Sequence, residues 1–207
     1  MSEKEIVHVN FWKEMHKEIR ATIKNIHGLV LLTHNSVDFS DIVDFLNKIR
    51  REEKLTILYI SLVNSYSNMK KILDLTPLDS KRLFVVDCVS NFITEHIDTA
   101  DCVYTKPPDN LNDMKELIMG NIQKFHPNLV VLDSLSQFIN FSMPSNEELH
   151  NFYSFLKSIR RDAIGMTNDT FILIYDDKMG SMKTLPALFT DTIFKLEVIR
   201  EKIKWQD

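Results

Sequence analysis

The sequence predicts an α/β domain: a three-layer α/β/α sandwich around a mostly parallel sheet of six or more strands. Three observations predict it. Short runs rich in Val, Ile and Leu recur without polar alternation, as expected of strands buried on both faces. Segments with apolar residues at helical spacing separate them. The 207 residues, 44% apolar and 26% charged, suffice for one sizeable core and are too few for two.

Asn10 is a plausible N-cap for a first helix with an apolar stripe at Trp12, Met15, Ile19, Ile23 and Ile26. Residues 1–27 are therefore read as an N-terminal amphipathic helix and 28–207 as the α/β domain. Gly28 closes the helix, and LVLL (29–32) is the first strand. A polar turn over 34–40 leads into a helix through Ile42, Val43, Phe45, Leu46 and Ile49. TILYISL (56–62) is the next strand, followed by a short helix near 67–73 and the strand LFVVDCV (83–89).

Pro107 and Pro108 then break the chain, and Asn110 caps a helix through Leu111, Met114, Ile118 and Ile122 that Pro127 ends. NLVVLDSLSQF (128–138) reads as one continuous apolar strand. Ser145 and Glu148 form a capping box for a helix to about Arg161. TFILIYDD (170–177) and DTIFKLEVI (191–199) complete the sheet.

Composition narrows the function. With 25 basic and 29 acidic residues the net charge is -4, against a dedicated nucleic-acid binder. Two cysteines, Cys88 and Cys102, lack zinc-site spacing and read as reduced thiols. No apolar run approaches the roughly 20 residues of a membrane helix. The charged N-terminus lacks a signal-peptide core, so a cytoplasmic protein without a membrane partner is expected. Four glycines in all leave no room for a Gly-rich loop.

Ligands of open α/β sheets bind beyond the carboxyl ends of the strands. Asp133, after four apolar residues, is the first candidate there, as the acid on the magnesium side of a phosphate site or as the start of a plain turn. Asn64, Ser134, Asp176 and Asp177 are further strand-end polar residues. Ser134 is no nucleophile elbow, because the flanking glycines are missing. Asp176 and Asp177 could hold a cation with Asp133 or simply be solvated strand ends. The seven histidines show no metal-ligand spacing, and no metal is expected. His34, at the mouth of the sheet, reads most simply as a solvated turn residue.

The order and spacing of these pieces ("TILYISL", "LFVVDCVS", "KPPDNLNDMKELI", "NLVVLDSLSQF", "FILIYDD", "LFTDTIFKLEV") resemble the RecA-like ATPases of the KaiC type, with their P-loop NTPase fold. That family's phosphate loop, G-x-x-x-x-G-K-[ST], falls here on Thr33, His34, Asn35, Ser36, Val37, Asp38, Phe39 and Ser40. Asp38 stands at the second glycine and Phe39 at the lysine; Ser40 alone keeps its hydroxyl. Glycines at such positions allow backbone N–H groups to converge on phosphate, and the lysine supplies the countercharge. Phe39 cannot, and Asp38 repels: at about 4 Å two unit charges oppose by roughly 4 kcal/mol at an effective dielectric of 20. That lowers affinity by about several hundredfold. The glutamates that orient water in the family fall on Leu62, Val63 and Asn64, none a carboxylate.

What the resemblance implies is a KaiC/RecA-like domain with a degenerate phosphate loop: a pseudo-ATPase, not an enzyme, needing no cofactor beyond weak ATP/Mg. It would act as a regulatory or signalling protein-interaction module, with a protein partner that is itself or an active paralogue. Trp12, Met15 and Ile19 offer one partner surface. Two alternatives stand: a residual ATP binder using Ser40, Asp133 and a remodelled loop, and a metal-dependent enzyme on a doubly wound sheet using Asp133, Asp176 or Asp177.

Overall fold

Seven parallel strands form one sheet among the described residues, in the order β4-β3-β2-β5-β6-β1-β7. They are β1 (Leu29–His34), β2 (Ile57–Ser61), β3 (Leu83–Asp87), β4 (Cys102–Tyr104), β5 (Leu129–Asp133), β6 (Thr170–Asp176) and β7 (Thr192–Leu196). The computed structural model describes residues 28–34, 42, 55–74, 82–92, 94–162, 170–176 and 190–196. The expected N-terminal helix with Trp12, Met15 and Ile19, the loop positions 35–40, the helix beyond Ile42, and Asp177 lie outside these residues.

The helices are α1 (Tyr66–Asp74), α2 (Leu111–Phe125), α3 (Leu135–Ser142) and α4 (Asn146–Asp162). Because successive strand residues point to opposite faces, the apolar runs supply two cores at once. Leu58, Ile60, Val86 and Leu132 face α2, α3 and α4, meeting Met114, Phe138 and Phe152. Tyr59, Val85, Val131 and Ile172 face the other way, toward Met69 of α1 and Ile42. The three layers predicted from the sequence are present.

Local chemistry sets the boundaries. The Asn110 side chain accepts from the N–H groups of Asn112 and Asp113 at the start of α2. His126, in the left-handed region, ends that helix by returning its N–H to Ile122, and Pro127 follows. Ser145 and Glu148 exchange hydrogen bonds as the capping box of α4. Asp191 fixes β7 by accepting from the Leu29 N–H at 2.8 Å while pairing with Lys157 at 3.5 Å.

Three expectations need correction. Residues 128–138 are not one strand: β5 ends at Asp133, and the Ser134 hydroxyl accepts from the Gln137 N–H to start α3. Leu135, Phe138 and Ile139 are buried at helical spacing, which a continuous apolar run conceals. The third strand stops at Asp87, whose carboxylate takes the Val89 and Ser90 N–H groups and turns the chain into a short 3-10 segment. The first strand runs two residues further than its apolar letters. Thr33 and His34 pair with Tyr175 and Asp176 of β6 on one side and with Lys195 and Leu196 of β7 on the other. They are strand residues, not loop.

β4 is a short edge strand the sequence did not announce. The turn before it closes its outer rim: Tyr104 N–H donates to Asp98 at 2.9 Å and Cys102 N–H to the Thr99 hydroxyl at 3.1 Å. Thr99 N–H in turn donates to the Cys102 carbonyl at 2.8 Å. An edge so occupied offers no free ladder to a second chain.

Candidate functional site

Strand parity and register bring a row of polar residues to the carboxyl end of one sheet face. Ser61 lies opposite Asp133 on one side and Asp87 on the other, while His34 lies opposite Asp176. The centre of the row is Asp133, only 4% exposed, whose Oδ2 accepts the Tyr59 hydroxyl at 2.5 Å. Its backbone carbonyl accepts the Leu62 N–H, and its peptide to Ser134 is cis.

Burial is the largest influence on the Asp133 carboxyl and pushes its pKa above the ordinary 3.8. Three neighbours work in the opposite sense by favouring the carboxylate: the Tyr59 hydroxyl, the charge of His34, and a side-chain hydrogen bond from Asn64. Tyr59 is fully enclosed, and desolvation followed by the Asp133 charge holds its pKa well above 10.0, so it remains the donor.

Of the sequence candidates, Asp133, Asn64 and His34 thus converge. His34 is not a solvated turn residue: it is 8% exposed, and its Nδ1 has no hydrogen-bond partner among the described residues. The reason is its place in β1, between β6 and β7. Asn64 sits in the turn after β2, its N–H on the Ser61 hydroxyl at 3.0 Å. Thr33 turns elsewhere, donating its hydroxyl to the Phe194 carbonyl at 3.2 Å.

Ser134 and Asp176 serve the scaffold. Ser134 caps α3 and shares a 3.1 Å hydroxyl contact with Ser136. The Ser136 hydroxyl accepts the Asp176 N–H at 3.1 Å, tying the end of β6 to α3. Among the described residues no group of three His, Cys, Asp or Glu side chains could hold a metal ion.

Sequence reasoning missed Tyr59 and the weight of Asp87. Tyr59 was hidden inside an apolar strand; its signal was parity, since it is two residues before Ser61 and so shares its face. Asp87 is fully buried and accepts four hydrogen bonds, from the N–H groups of Tyr66, Val89 and Ser90 and from the Ser90 hydroxyl. It joins β3 to the start of α1, a structural duty that saturates it.

On the opposite sheet face, at the carboxyl ends of β2, β3 and β5, an apolar groove of about 250 Å³ opens. Leu62, Cys88, Pro107, Pro108 and Phe138 wall it, with Phe92 and Phe141 at its rim. Cys88 and Cys102 are both free and buried. Burial pushes each thiol up to about 12, which removes them as nucleophiles.

By sequence, the chain matches no protein-family model and no curated protein. By structure it is similar to a KaiC-like protein from the hyperthermophilic archaeon Pyrococcus horikoshii OT3, with a TM-score of 0.59 at 14% identity. The match covers 85% of this chain and 75% of that one. At that identity the likeness speaks for the fold alone: a parallel α/β sheet covered by helices, similar to that of the KaiC-like protein. No helix among the described residues is long and apolar enough to cross a membrane.

Proposed function

We propose that this RecA-fold domain does not hydrolyse ATP and works through protein contacts, in a regulatory or signalling role. The observation that carries the reading is the engagement of Asp133. An acid that holds magnesium beside a phosphate must be ionised and reachable. Asp133 is enclosed and its Oδ2 is committed to the Tyr59 hydroxyl, and burial is the largest influence raising its pKa above the ordinary 3.8. The loop sequence argues the same way, with Asp38 and Phe39 where a triphosphate needs glycine and lysine. Asn64, at the position of the water-orienting acid, cannot accept a proton as a carboxylate would. The apolar groove supports a binding role, since apolar surface gathered at one place marks contact sites.

Thermal unfolding with and without millimolar Mg-ATP, with phosphate release followed in the same samples, tests this. The expected result is an unchanged Tm and no release. A ligand at a hundred times its Kd stabilises the native state by about 2.7 kcal/mol. An upward shift with ATP that is lost in Asp133→Ala or Phe39→Ala would establish residual nucleotide binding instead. A shift with manganese but not with ATP would favour the metal-dependent enzyme.

A further inference from the structure

We infer that Asp133 and His34 form a proton-operated latch on the turn between β2 and α1, closed on Asn64 while Asp133 is a carboxylate and released when that carboxyl gains its proton. The latch goes beyond the interaction role proposed above and does not depend on it. The turn, residues 62–65, is tied to Asp133 twice. The Leu62 N–H donates to the Asp133 carbonyl, and the Asn64 side chain donates to the Asp133 carboxyl. Ser61 braces the turn from within: its hydroxyl donates to the Asn64 carbonyl at 2.7 Å and accepts the Asn64 N–H at 3.0 Å. The backbone tie is indifferent to pH. The side-chain tie is not, because a hydrogen bond to a charged acceptor is about twice as strong as one to a neutral acceptor.

The surroundings make this proton consequential. Asp133 is 4% exposed, so its charge is answered by protein groups rather than by water. Burial, the largest influence, pushes the carboxyl above its ordinary 3.8; the Tyr59 hydroxyl, the charge of His34 and the Asn64 contact all oppose it. Tyr59 stays a donor throughout, since burial holds its own pKa well above 10.0. His34 lies two strands away on β1, buried, with no hydrogen-bond partner on Nδ1 among the described residues. Its charge therefore acts on the carboxyl through space. A positive His34 carries closure to lower pH, and burial works toward release.

The other groups at this end of the sheet leave the role to these residues. Asp176, opposite His34 on β6, is partly exposed. Asp87, beyond Ser61 on β3, is taken up by four donors. Met69 of α1 and Ile42 pack on this face and carry no charge. Because α1 begins at Tyr66, directly after the turn, release loosens the entry to that helix while the central strands stay packed.

NMR of the full chain from about pH 4 to 8, without Mg-ATP, tests the latch. The Asp133 carboxyl carbon reports the proton; the Asn64 side-chain amide and the exchange protection of its backbone amide report the turn. Both Asn64 signals are expected to move with the carboxyl midpoint, with protection lower by about tenfold on the acid side. His34→Gln and Asn64→Ala should each raise the carboxyl midpoint, and Asp133→Asn should abolish the pH step at Asn64. Asn64 signals that ignore the carboxyl titration of the natural chain overturn the latch without recourse to any variant. A midpoint unmoved by Asn64→Ala, at a partly exposed site, overturns it too and decides the matter where a buried variant does not fold. A midpoint unmoved or lowered in His34→Gln overturns the part given to His34. Leaving out Mg-ATP keeps the outcome separate from the non-hydrolytic reading, which phosphate release decides on its own.

Discussion

The Tyr59 hydroxyl donates to the Asp133 carboxylate across the neighbouring strands β2 and β5, at 2.5 Å and out of solvent. Removing the donor leaves a buried carboxyl short of a partner, which costs about 1–3 kcal/mol. Tyr59→Phe is therefore expected to lower unfolding free energy by that amount in urea titrations. Asp133→Asn keeps an acceptor for the hydroxyl and removes a charge that burial disfavours, so it should cost less than Tyr59→Phe. In the Asn background Tyr59→Phe should cost less again, and the double-mutant cycle reads the coupling directly. Additive effects would show that the contact contributes nothing to stability.

The same carboxyl makes stability depend on pH with a definite sign. Its folded-state pKa is raised above 3.8, mainly by burial, so the folded chain holds this proton more tightly than the unfolded chain. Its contribution is complete below 3.8 and is lost as pH rises through the folded value. Asp133→Asn lacks that loss. Its stability relative to the natural chain should rise from pH 4 upward and then level off, in parallel denaturant titrations. A difference that stays flat with pH would mean that burial does not govern this group.

Much of this arrangement was legible beforehand, and the exceptions have physical causes. Buried parallel strands announce themselves because both faces are apolar, as in Ile57–Ser61 and Thr170–Asp176. Caps were legible where one side chain does the work, as with Asn110 and Ser145. The break between β5 and α3 was not, because Leu135 and Phe138 carry apolar character on past Asp133, and only the Ser134 cap separates strand from helix. β4 escaped because its three residues are stabilised by side chains of the preceding turn rather than by their own pattern. Asp133 could be singled out by type and place; its hydrogen bond to Tyr59 needed the register of two strands far apart in sequence.

Asp87 should prove the costliest polar residue to remove. Its carboxylate accepts four hydrogen bonds and positions the first N–H of α1, at Tyr66. Asp87→Ala leaves buried donors unpaired, each worth about 1–3 kcal/mol. A loss of about 3–5 kcal/mol, or failure to accumulate folded protein, is expected. Asp87→Asn, which retains one acceptor oxygen, should fall between. Equal stability of the alanine variant and the natural chain in denaturant titration would refute this role.

The two cysteines should be inert in the folded chain. Burial holds both thiols at about 12, so the reactive thiolate is scarce at neutral pH. A thiol-specific chromogenic reagent should label neither Cys88 nor Cys102 promptly in native protein, and both once the chain is unfolded. Rapid labelling of Cys88 alone would mean that the groove it lines opens far more readily than its burial suggests.

The closed rim of β4 makes a separate prediction about exchange and assembly. Asp98 accepts the Tyr104 N–H, and the Thr99 hydroxyl accepts that of Cys102; otherwise these edge donors would face water or another strand. Asp98→Ala frees the Tyr104 amide. Its hydrogen exchange should accelerate while amides of the central strands β2 and β5 keep their protection, since local opening at an edge leaves the core intact. Global stability should fall by only about 0.5–1.5 kcal/mol, the net worth of one hydrogen bond. Asp98→Ala combined with Thr99→Val exposes both donors, and light scattering should then register slow association that Phe141→Ser does not suppress. Suppression by Phe141→Ser would place that association at the groove and remove the edge from consideration.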